Sequence, residues 1–446
     1  MPISIFWFRR DLRLDDNAGL YHALKGKNPV LPVFIFDRHI LDDLPRKDAR
    51  VEFIHQAVSG LKKRLEELGS TLLVFYGHPE TAWSQLLANY DIEAVYTNRD
   101  YEPYALERDA AVRALLAERD VAFNTFKDHV IFEKDEILKS DGTPYTVFTP
   151  YSKRWLEKLQ TKWMLTTNEH DEEERNSFYL SSYPSARYFA QFQKTSPYPM
   201  PTLEEMGFEP ADVPFPPATV ARGLIKQYDQ TRNFPALHGT SRLGVHFRFG
   251  TISIREKARH AQKLNATYLN ELVWRDFYSQ ILAHFPHVVH RPFQLKYERV
   301  EWRDSPEDFE KWREGKTGYP IVDAGMRELN LTGYMHNRVR MIVASFLAKH
   351  LLLDWRLGEA YFAQKLLDFD LASNSGGWQW AAGCGTDAAP YFRIFNPAEQ
   401  AKKFDSENKY IRKWVPEFGT SAYPPPMVEH TFARERCLAA YKKALG

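Results

Sequence analysis

Three groups of residues in the C-terminal half of this 446-residue chain combine side-chain types that could do chemistry. The densest group runs from Asp368 to Trp380 and holds two carboxylates, an asparagine, a glycine pair and two tryptophans. Paired carboxylates can serve acid/base catalysis of the glycosidase kind. The intervening Asn374, glycines and tryptophans instead favour a flat heteroaromatic ligand held by hydrogen bonds and ring contacts. This density favours a functional site over a purely structural loop.

The second group is the run from Glu271 to Tyr278. Glu271, Trp274, Arg275 and Tyr278 are spaced i, i+3, i+4 and i+7, so a helix places them on one side. Such a side could form a polar aromatic pocket or a half-buried stripe with an exposed ion pair.

The third group is the run from Gly239 to Gly244, which lies between two helical patterns. Hydroxyl groups and free backbone N–H groups at the start of a helix make a phosphate seat. A loop that only caps the helix is the alternative interpretation.

The elements that must position these groups are helical. Beyond Pro217 the apolar residues recur at i, i+3 and i+4 over long segments, which predicts an almost entirely helical domain. The predicted helices are Ala218–Tyr228, Ile254–Asn265, Tyr268–Ala283, Tyr319–Thr332 and Asn337–Leu351.

The first 130 residues or so follow a different pattern, in which short apolar runs alternate with helical spacing. This alternation predicts a parallel, doubly wound α/β domain. The first strand-to-helix turn, residues 9–17, lacks a Gly-rich fingerprint, so it is neither a dinucleotide-binding turn nor a phosphate-cradling loop. The predicted strands are Ile3–Phe8, Val30–Phe36, Thr71–Tyr76, Ala94–Thr97 and Ala122–Thr125, and the predicted helices are Ala49–Leu68, Thr81–Asn89 and Tyr104–Ala117.

Between these regions the periodicity weakens. An acidic run, Asp171 to Glu174, is followed by Ser, Pro and Tyr in quick succession, which is typical of an inter-domain connection. The pattern therefore divides the chain into an α/β domain (1–132), a linker (133–217) and a helical domain (218–446).

The charge balance supports two different halves. Residues 1–220 hold 26 basic and 34 acidic side chains, a net of −8, whereas residues 221–446 hold 33 and 24, a net of +9. A basic half in a chain with 11 tryptophans suggests a polyanionic partner, although a chance partition of surface charge would give the same count.

Composition also excludes several classes of protein. Only two cysteines occur, Cys384 and Cys437, which excludes a disulfide framework and cysteine-based metal sites and favours a reducing cytoplasm. No metal site is expected. No apolar stretch approaches the ~18 residues of a membrane span, and the N-terminus lacks the basic segment of a signal peptide.

Five motifs together resemble the cryptochrome/photolyase family, and their order and spacing match it from about residue 2 to residue 443. The resemblance implies an α/β N-terminal (antenna) domain, a long linker and a helical domain that binds FAD and DNA. The motifs are Phe8–Leu14, Gly239–Leu243, Asn270–Tyr278, Gly315–Ala324 and Gly376–Pro397.

The resemblance implies a light-driven enzyme that repairs pyrimidine dimers in ultraviolet-damaged DNA. In this family reduced, deprotonated FAD absorbs blue light and passes an electron to the lesion, whose cyclobutane ring then splits. We expect a cytoplasmic monomer with no membrane partner. A photosensory cryptochrome, which would use the same flavin and tryptophans for signalling, is the alternative.

The family motifs also imply which residues bind FAD. Gly244 stands where relatives commonly carry serine, so we expect a backbone N–H to replace one side-chain hydrogen bond. Asp368 should pair with Arg340, and Asn374 should face flavin N5, where a neutral amide tolerates the reduced flavin. The implied contacts are Tyr228, Thr240, Ser241, Arg242, Leu243, Gly244, Arg275, Phe277, Arg340, Asp368, Asp370 and Asn374.

The lesion pocket follows from the same motifs. Trp274 and Trp380 should wall the flipped dimer, and Glu271 should hydrogen-bond its carbonyl and N–H edge. Asn337, Arg338 and Met341 should line the cavity. The (6-4) photolyases and animal cryptochromes carry histidines where Asn337 and Met341 stand, so this chain resembles the cyclobutane-dimer branch, class I. His336 is interpreted as a structural histidine.

Two further expectations concern electron and energy transfer. Trp302, Trp355 and Trp378 match the tryptophan chain that relays electrons from the surface to the flavin, although each could also be a core aromatic. Folate-binding relatives carry an Asn-Glu pair where this chain has Tyr104 and Ala105, so folate is not expected in that pose. A deazaflavin, another flavin or no antenna chromophore remain open.

Overall fold

The computed structural model describes residues 2–161 and 178–446. The acidic run Asp171–Glu174, interpreted as part of the linker, lies outside the described residues. The chain divides into two compact units that are not continuous in sequence. The first comprises Met1–Glu133, Trp155–Thr219 and Leu243–Lys263, and the second comprises Lys134–Arg154, Val220–Arg242 and Leu264–Gly446. The division at 132 and 217 stays a prediction.

The first unit is built on a parallel sheet of five strands in the order β3-β2-β1-β4-β5. The first two strands are buried along their whole length, as expected for a sheet covered on both faces. The predicted α/β fold with a parallel sheet is confirmed. The strands are β1 (Ile3–Phe8), β2 (Val30–Asp37), β3 (Leu73–Gly77), β4 (Ile92–Asn98) and β5 (Ala122–Phe126).

The α-helices among the described residues are named here in chain order. The first are α1 (Ala18–Leu24), α2 (Arg38–Leu41), α3 (Ala49–Glu67), α4 (Pro79–Asn89), α5 (Pro103–Ala117), α6 (Phe148–Leu159), α7 (Arg222–Lys226), α8 (Tyr228–Thr231), α9 (Gly244–Phe249) and α10 (Ile254–Leu264). The others are α11 (Ala266–His284), α12 (Pro306–Glu314), α13 (Pro320–Thr332), α14 (Asn337–Ser345), α15 (Trp355–Lys365), α16 (Leu371–Ala382), α17 (Pro397–Phe404), α18 (Lys409–Trp414) and α19 (His430–Leu445).

One face of the sheet carries the alternate residues Ile3, Ile5 and Trp7 of β1, which pack against apolar side chains of α4 and α5. Trp83 of α4 contacts Trp7 edge to face, with ring centroids 5.4 Å apart. Helix α1 packs against β1 and β4. The period-2 alternation of side chains along a strand therefore decides which residues meet which helices.

The second unit is helical and has its own core, which draws on α12 to α16, α18 and α19. Helix α14 continues into a short π-helical segment, Phe346–His350, all of whose side chains are buried. The predicted helical C-terminal region is confirmed. Within the described residues no helix is both long enough and apolar enough to cross a membrane.

One local prediction was wrong. The predicted helix Ala218–Tyr228 is only Arg222–Lys226, because β-branched Thr219 and Val220 disfavour a helix there. The run from Asp368 to Trp380, for which no secondary structure was predicted, is mostly helix from Leu371 onward. Its serines and glycines have low helix propensity, but tertiary packing overrides that preference.

Candidate functional site

Helix α11 carries four of the predicted site residues, Glu271, Trp274, Arg275 and Phe277. The helix begins after Asn265, whose side-chain oxygen accepts a hydrogen bond from the backbone N–H of Tyr268 at 3.1 Å. Phe277 faces the core and is fully buried, whereas Glu271 and Trp274 stay partly exposed. The spacing seen in the sequence therefore does place a carboxylate and an indole on one accessible side.

Glu271 forms an ion pair with Arg232, whose Nη1 donates to Oε1 of the carboxylate. The two side chains are 32% and 28% exposed, so the pair lies at the edge of the protein interior. Burial raises the pKa of Glu271, and the nearby Arg232 offsets part of that rise. The carboxylate is thus held in one place and keeps part of its surface available for a ligand.

Asn233, the residue after Arg232, contacts α14. Arg338 of α14 donates from Nη2 to the side-chain oxygen of Asn233 at 2.6 Å. Nη1 of the same guanidinium lies 3.6 Å from the sulfur of Met341. Asn337, the first residue of α14, is exposed. Neither Arg232 nor Asn233 was singled out in the sequence, because both lie in a short connection without periodicity.

His336 caps α14, since its Nδ1 accepts the backbone N–H of Arg338 at 3.1 Å. Burial, together with the charges of Arg340, Arg338 and Arg242, lowers the pKa of His336 to about 4. The ring is therefore neutral at physiological pH and serves to start the helix that carries Asn337, Arg338 and Met341. This geometry agrees with the structural interpretation of His336.

Helix α16 carries Asn374, Trp378 and Trp380, and Asp370 starts it by accepting the backbone N–H of Ser373 at 3.1 Å. The first residue of the glycine pair, Gly376, has a packing role. A Cβ atom at this position would lie 2.3 Å from the ring of Tyr278 on α11. Glycine therefore lets α16 approach α11, so that the residues of both helices can serve one site.

The expected pair between Arg340 and Asp368 is present, with Nη2 3.0 Å from both carboxylate oxygens. Nε of Arg340 also donates to the backbone carbonyl of Met335 at 2.7 Å. The guanidinium lies 5.7 Å from the ring centroid of Tyr334. The arginine is thus fixed on two sides and orients the carboxylate that precedes α16.

Asn374 has a partner that sequence reasoning missed. Its Nδ2 donates to Oε1 of Glu359 at 2.6 Å and to the backbone carbonyl of the same residue at 3.1 Å. Burial raises the pKa of Glu359, and the hydrogen bond from Asn374 offsets part of the rise. Because Glu359 belongs to α15, fifteen residues earlier, no spacing pattern could have revealed it.

Two tyrosines hold the segment of the third group that belongs to the second unit. Thr240 Oγ1 lies 3.0 Å from the hydroxyl of Tyr334, and the hydroxyl of Tyr268 donates to Ser241 Oγ at 3.1 Å. The guanidinium of Arg242 lies 4.3 Å from the ring centroid of Tyr334. Tyr228 contacts Tyr268 edge to face at 5.0 Å. Hydroxyl groups and a cation therefore lie side by side here.

Leu243 and Gly244 belong to the first unit. Leu243 is buried and precedes α9, and Gly244 is the first residue of that helix. The helix start expected after this motif is therefore present.

The three tryptophans of the expected relay lie in or against one core, that of the second unit. Trp378 packs against Gly358 of α15, where a Cβ atom would lie 2.1 Å from its ring. Trp355 is the first residue of the same helix α15. Trp302 contacts Tyr441 edge to face at 6.1 Å.

Trp274 has an unexpected neighbour in the predicted linker. Phe148, the first residue of α6, stacks on the indole with ring centroids 3.5 Å apart and planes 4° from parallel. Trp380 is the second tryptophan predicted to contact the lesion. Its ring centroid lies 6.5 Å from that of Phe395. The sequence offered one cue to Phe148: it starts a run in which Tyr151, Trp155 and Leu159 follow at helical spacing, inside the segment interpreted as a linker.

The positions compared with the folate-binding pair lie at the start of α5 in the first unit. The hydroxyl of Tyr104 donates to Oδ2 of Asp37, the last residue of β2, at 2.5 Å, and Ala105 is buried. Burial, followed by the hydrogen bond to Asp37, raises the pKa of Tyr104 above its ordinary value. The phenol is thus engaged with the protein itself.

Comparisons with known proteins agree over the whole chain. Residues 4–171 match the DNA photolyase family, and residues 268–421 match the FAD binding domain of DNA photolyase. The deoxyribodipyrimidine photo-lyase of Halobacterium salinarum is 38% identical over 497 aligned positions that cover 100% of both chains.

Two solved structures extend this similarity to the fold. A bacterial class III photolyase from Agrobacterium tumefaciens superposes with a TM-score of 0.85 at 32% identity, over 100% of this chain and 98% of the other. An archaeal photolyase from Sulfolobus tokodaii, solved with two FAD molecules, superposes with a TM-score of 0.79 at 32% identity, over 99% of both chains.

Proposed function

The chain belongs to the DNA photolyase family, and from this premise we propose that it is a light-dependent deoxyribodipyrimidine photo-lyase that splits cyclobutane pyrimidine dimers. One observation carries the proposal. In a chain 38% identical to a relative of that name, packing brings Glu271 and Trp274 of α11 next to α16, which carries Asn374 and Trp380. These are the residue types that such a reaction needs.

The residues of the second unit fit FAD as cofactor. Thr240 and Ser241 offer hydroxyls, and Arg242 offers a cation beside them, which is the donor set for phosphate groups. Asp368 is oriented by Arg340 and offers carboxylate oxygens to ribose hydroxyls. Arg275, Phe277, Asp370 and Tyr228 complete the proposed set in the second unit.

The hydrogen bond to Glu359 leaves the side-chain oxygen of Asn374 as the hydrogen-bond acceptor that faces a ligand. An amide has its oxygen and nitrogen on opposite sides, and Nδ2 of Asn374 is directed at Glu359. Oδ1 is therefore the atom left for a ligand, and it would accept the N–H that a reduced flavin carries at N5. Glu359 thus acts through Asn374 as a positioning residue.

Bound FAD supplies the electron that opens the cyclobutane ring. The protein's own residues hold the dimer and stabilise the negative charge that develops on it. Glu271 hydrogen-bonds the carbonyl and N–H edge of the dimer, and Arg232 keeps that carboxylate in place. A group fixed before the reaction needs no reorganisation during it, which is why preorganised contacts are effective.

Trp274 and Trp380 provide the apolar surface for the bases. Photolyases are among the enzymes that extrude their target from the duplex, and stacking on aromatic side chains offsets the cost. Asn337, Arg338 and Met341 line the same cavity, and Asn and Met at these positions favour the cyclobutane dimer over the (6-4) product. Trp302, Trp355 and Trp378 carry electrons from the surface toward the FAD site.

We also propose the domain boundaries, the state and the location of the enzyme. We assign the antenna domain to residues 1–132, the linker to 133–217 and the FAD- and DNA-binding domain to 218–446. The enzyme acts on ultraviolet-damaged DNA as a cytoplasmic monomer. Whether a second chromophore binds is decided by the absorption spectrum of the purified protein, in which an antenna adds a band to those of FAD.

The function is tested with ultraviolet-irradiated oligothymidylate incubated with the reduced protein under blue light or in the dark. Splitting of the dimers restores the ultraviolet absorbance of the thymine bases. We expect restoration only in the light. Equal absorbance in both arms, with flavin present, would exclude the proposed activity.

A further inference from the structure

The stack between Phe148 and Trp274 carries an inference beyond the residues assigned above, although it rests on the proposed function. Phe148 lies in the segment interpreted as a linker, more than 120 residues before Trp274. Its ring is 3.5 Å from the indole and parallel to it within 4°. The two rings belong to the same compact unit.

The stack fixes the plane of the indole. A tryptophan on an exposed helix side can rotate about two side-chain bonds, and only neighbours that cover it hold one orientation. Phe148 is 8% exposed and is itself held edge to face by Phe277 at 5.7 Å. Phe277, edge to face at 5.6 Å, and Tyr278, tilted at 5.5 Å, also contact the indole, but Phe148 is the ring that lies parallel to it at the shortest distance. Because Trp274 stays partly exposed, its remaining surface points in a direction that Phe148 helps to set.

The backbone around Phe148 is also tied to the loop that follows α16. The backbone N–H of Phe148 donates to Oδ2 of Asp387 at 3.1 Å. The hydroxyl of Thr386 donates to the backbone carbonyl of Thr146. This loop begins a few residues after Trp380, the second predicted wall. One short segment therefore contacts the first wall directly and anchors the loop next to the second.

We propose that Phe148 is a positioning residue of the lesion site, which holds Trp274 in the plane that a pyrimidine dimer can stack on. It acts through Trp274 and does not touch the reacting bonds. The substrate class is unchanged, but the site now includes residues 146–148, so recognition of the lesion depends on a part of the chain outside the helical domain's continuous sequence.

The test measures binding in the dark to an oligothymidylate that carries ultraviolet-induced dimers, and to the same strand before irradiation. Phe148→Ala should raise the Kd for the irradiated strand about tenfold, the order of one weakened base stack. The Kd for the undamaged strand should change less than twofold. Flavin content and the unfolding midpoint establish that each variant is folded.

A double variant separates positioning from general destabilisation. If Phe148 acts through Trp274, then Phe148→Ala adds little to the loss already caused by Trp274→Ala, because coupled residues are not additive. Phe148→Tyr keeps a flat ring and should bind the irradiated strand with the parental Kd. Phe148→Leu fills the space without a flat ring and should bind it as weakly as Phe148→Ala. Tyr151→Phe removes a hydroxyl from the next turn of α6 and should bind like the parent.

Several outcomes would overturn the proposal. Parental affinity of Phe148→Ala for the irradiated strand would do so, and so would losses that add in the double variant. If Phe148→Ala does not fold, Phe148→Leu takes its place in the cycle. A parent protein with no preference for irradiated DNA would instead refute the proposed function, so the two failures are distinguishable.

Discussion

The side-chain amide of Asn374 donates to Oε1 of Glu359 at 2.6 Å, and this contact joins α16 to α15. A second hydrogen bond, to the backbone carbonyl of Glu359 at 3.1 Å, makes the orientation of the amide specific. A carboxylate, which only accepts hydrogen bonds when ionised, can hold the amide in one way alone. The contact therefore decides which atom of Asn374 a ligand meets.

Replacement of Glu359 should change the redox potential of the bound flavin. In Glu359→Leu the amide can turn and present its NH2 group, which no longer favours a reduced flavin. We expect the midpoint potential to fall by about 30 mV, the equivalent of about 1.4 kcal/mol in a two-electron couple. Glu359→Gln, whose side-chain oxygen still accepts from Asn374, should fall less. An unchanged potential in Glu359→Leu at full flavin occupancy would contradict this role.

Removal of the Glu271 carboxylate should lower the repair yield per photon. Glu271→Ala loses the hydrogen bond to the dimer and leaves Arg232 without its partner. We expect a yield of about half the parental value or less, with flavin content unchanged. Glu298→Ala, at an exposed ion pair with Arg291, is the matched control and should repair normally. A parental yield in Glu271→Ala would remove this residue from the mechanism.

Trp378→Phe should suppress photoreduction of the oxidised protein. The phenyl ring preserves much of the packing against Gly358, but it is far harder to oxidise than indole. Illumination with an added thiol, followed by flavin absorbance, measures the effect. Trp83→Phe in the sheet unit is the control and should photoreduce like the parent. Normal photoreduction of Trp378→Phe would show that electrons take another route.

His336 should make the protein less stable in acid. Its pKa falls from 6.5 in the unfolded chain to about 4 in the folded protein, so the unfolded state binds the proton more readily between these values. The free energy of unfolding should therefore decrease by about 3 kcal/mol as the pH falls from 7 to 4. Above about pH 7.5 this residue adds almost no pH dependence.

A variant isolates this contribution. His336→Asn keeps a side chain that can cap α14 but cannot titrate. Its unfolding free energy should depend less on pH in the same range, as measured by denaturant unfolding at pH 7, 5.5 and 4. Equal slopes for parent and His336→Asn would refute the assignment.

Much of the fold could be predicted because its signals are local. Strand β1 was predicted at Ile3–Phe8 and is observed there, since a continuous apolar run marks a strand buried on both faces. Helix α13 was predicted to begin at Tyr319 and begins at Pro320. Helices α1 and α6 were not predicted. The first is seven residues long. The second lies in the segment interpreted as a linker, where the helical spacing of Phe148, Tyr151, Trp155 and Leu159 was missed.

The site divides in the same way. Glu271, Trp274, Asn374 and Trp380 could be named from motifs and spacing, because residues of one helix keep fixed angular positions whatever surrounds them. Their roles stay predictions until a ligand or a variant tests them.

The partners of these residues were decided only by the tertiary structure. Arg232 meets Glu271, Glu359 meets Asn374, and Phe148 meets Trp274, across separations of 39, 15 and more than 120 residues. Such contacts depend on how closely two helices approach and on which rotamers the packed core allows. Neither quantity is encoded in the period of a single segment. The sequence thus determined which side chains are available for chemistry, and packing determined what holds them in position.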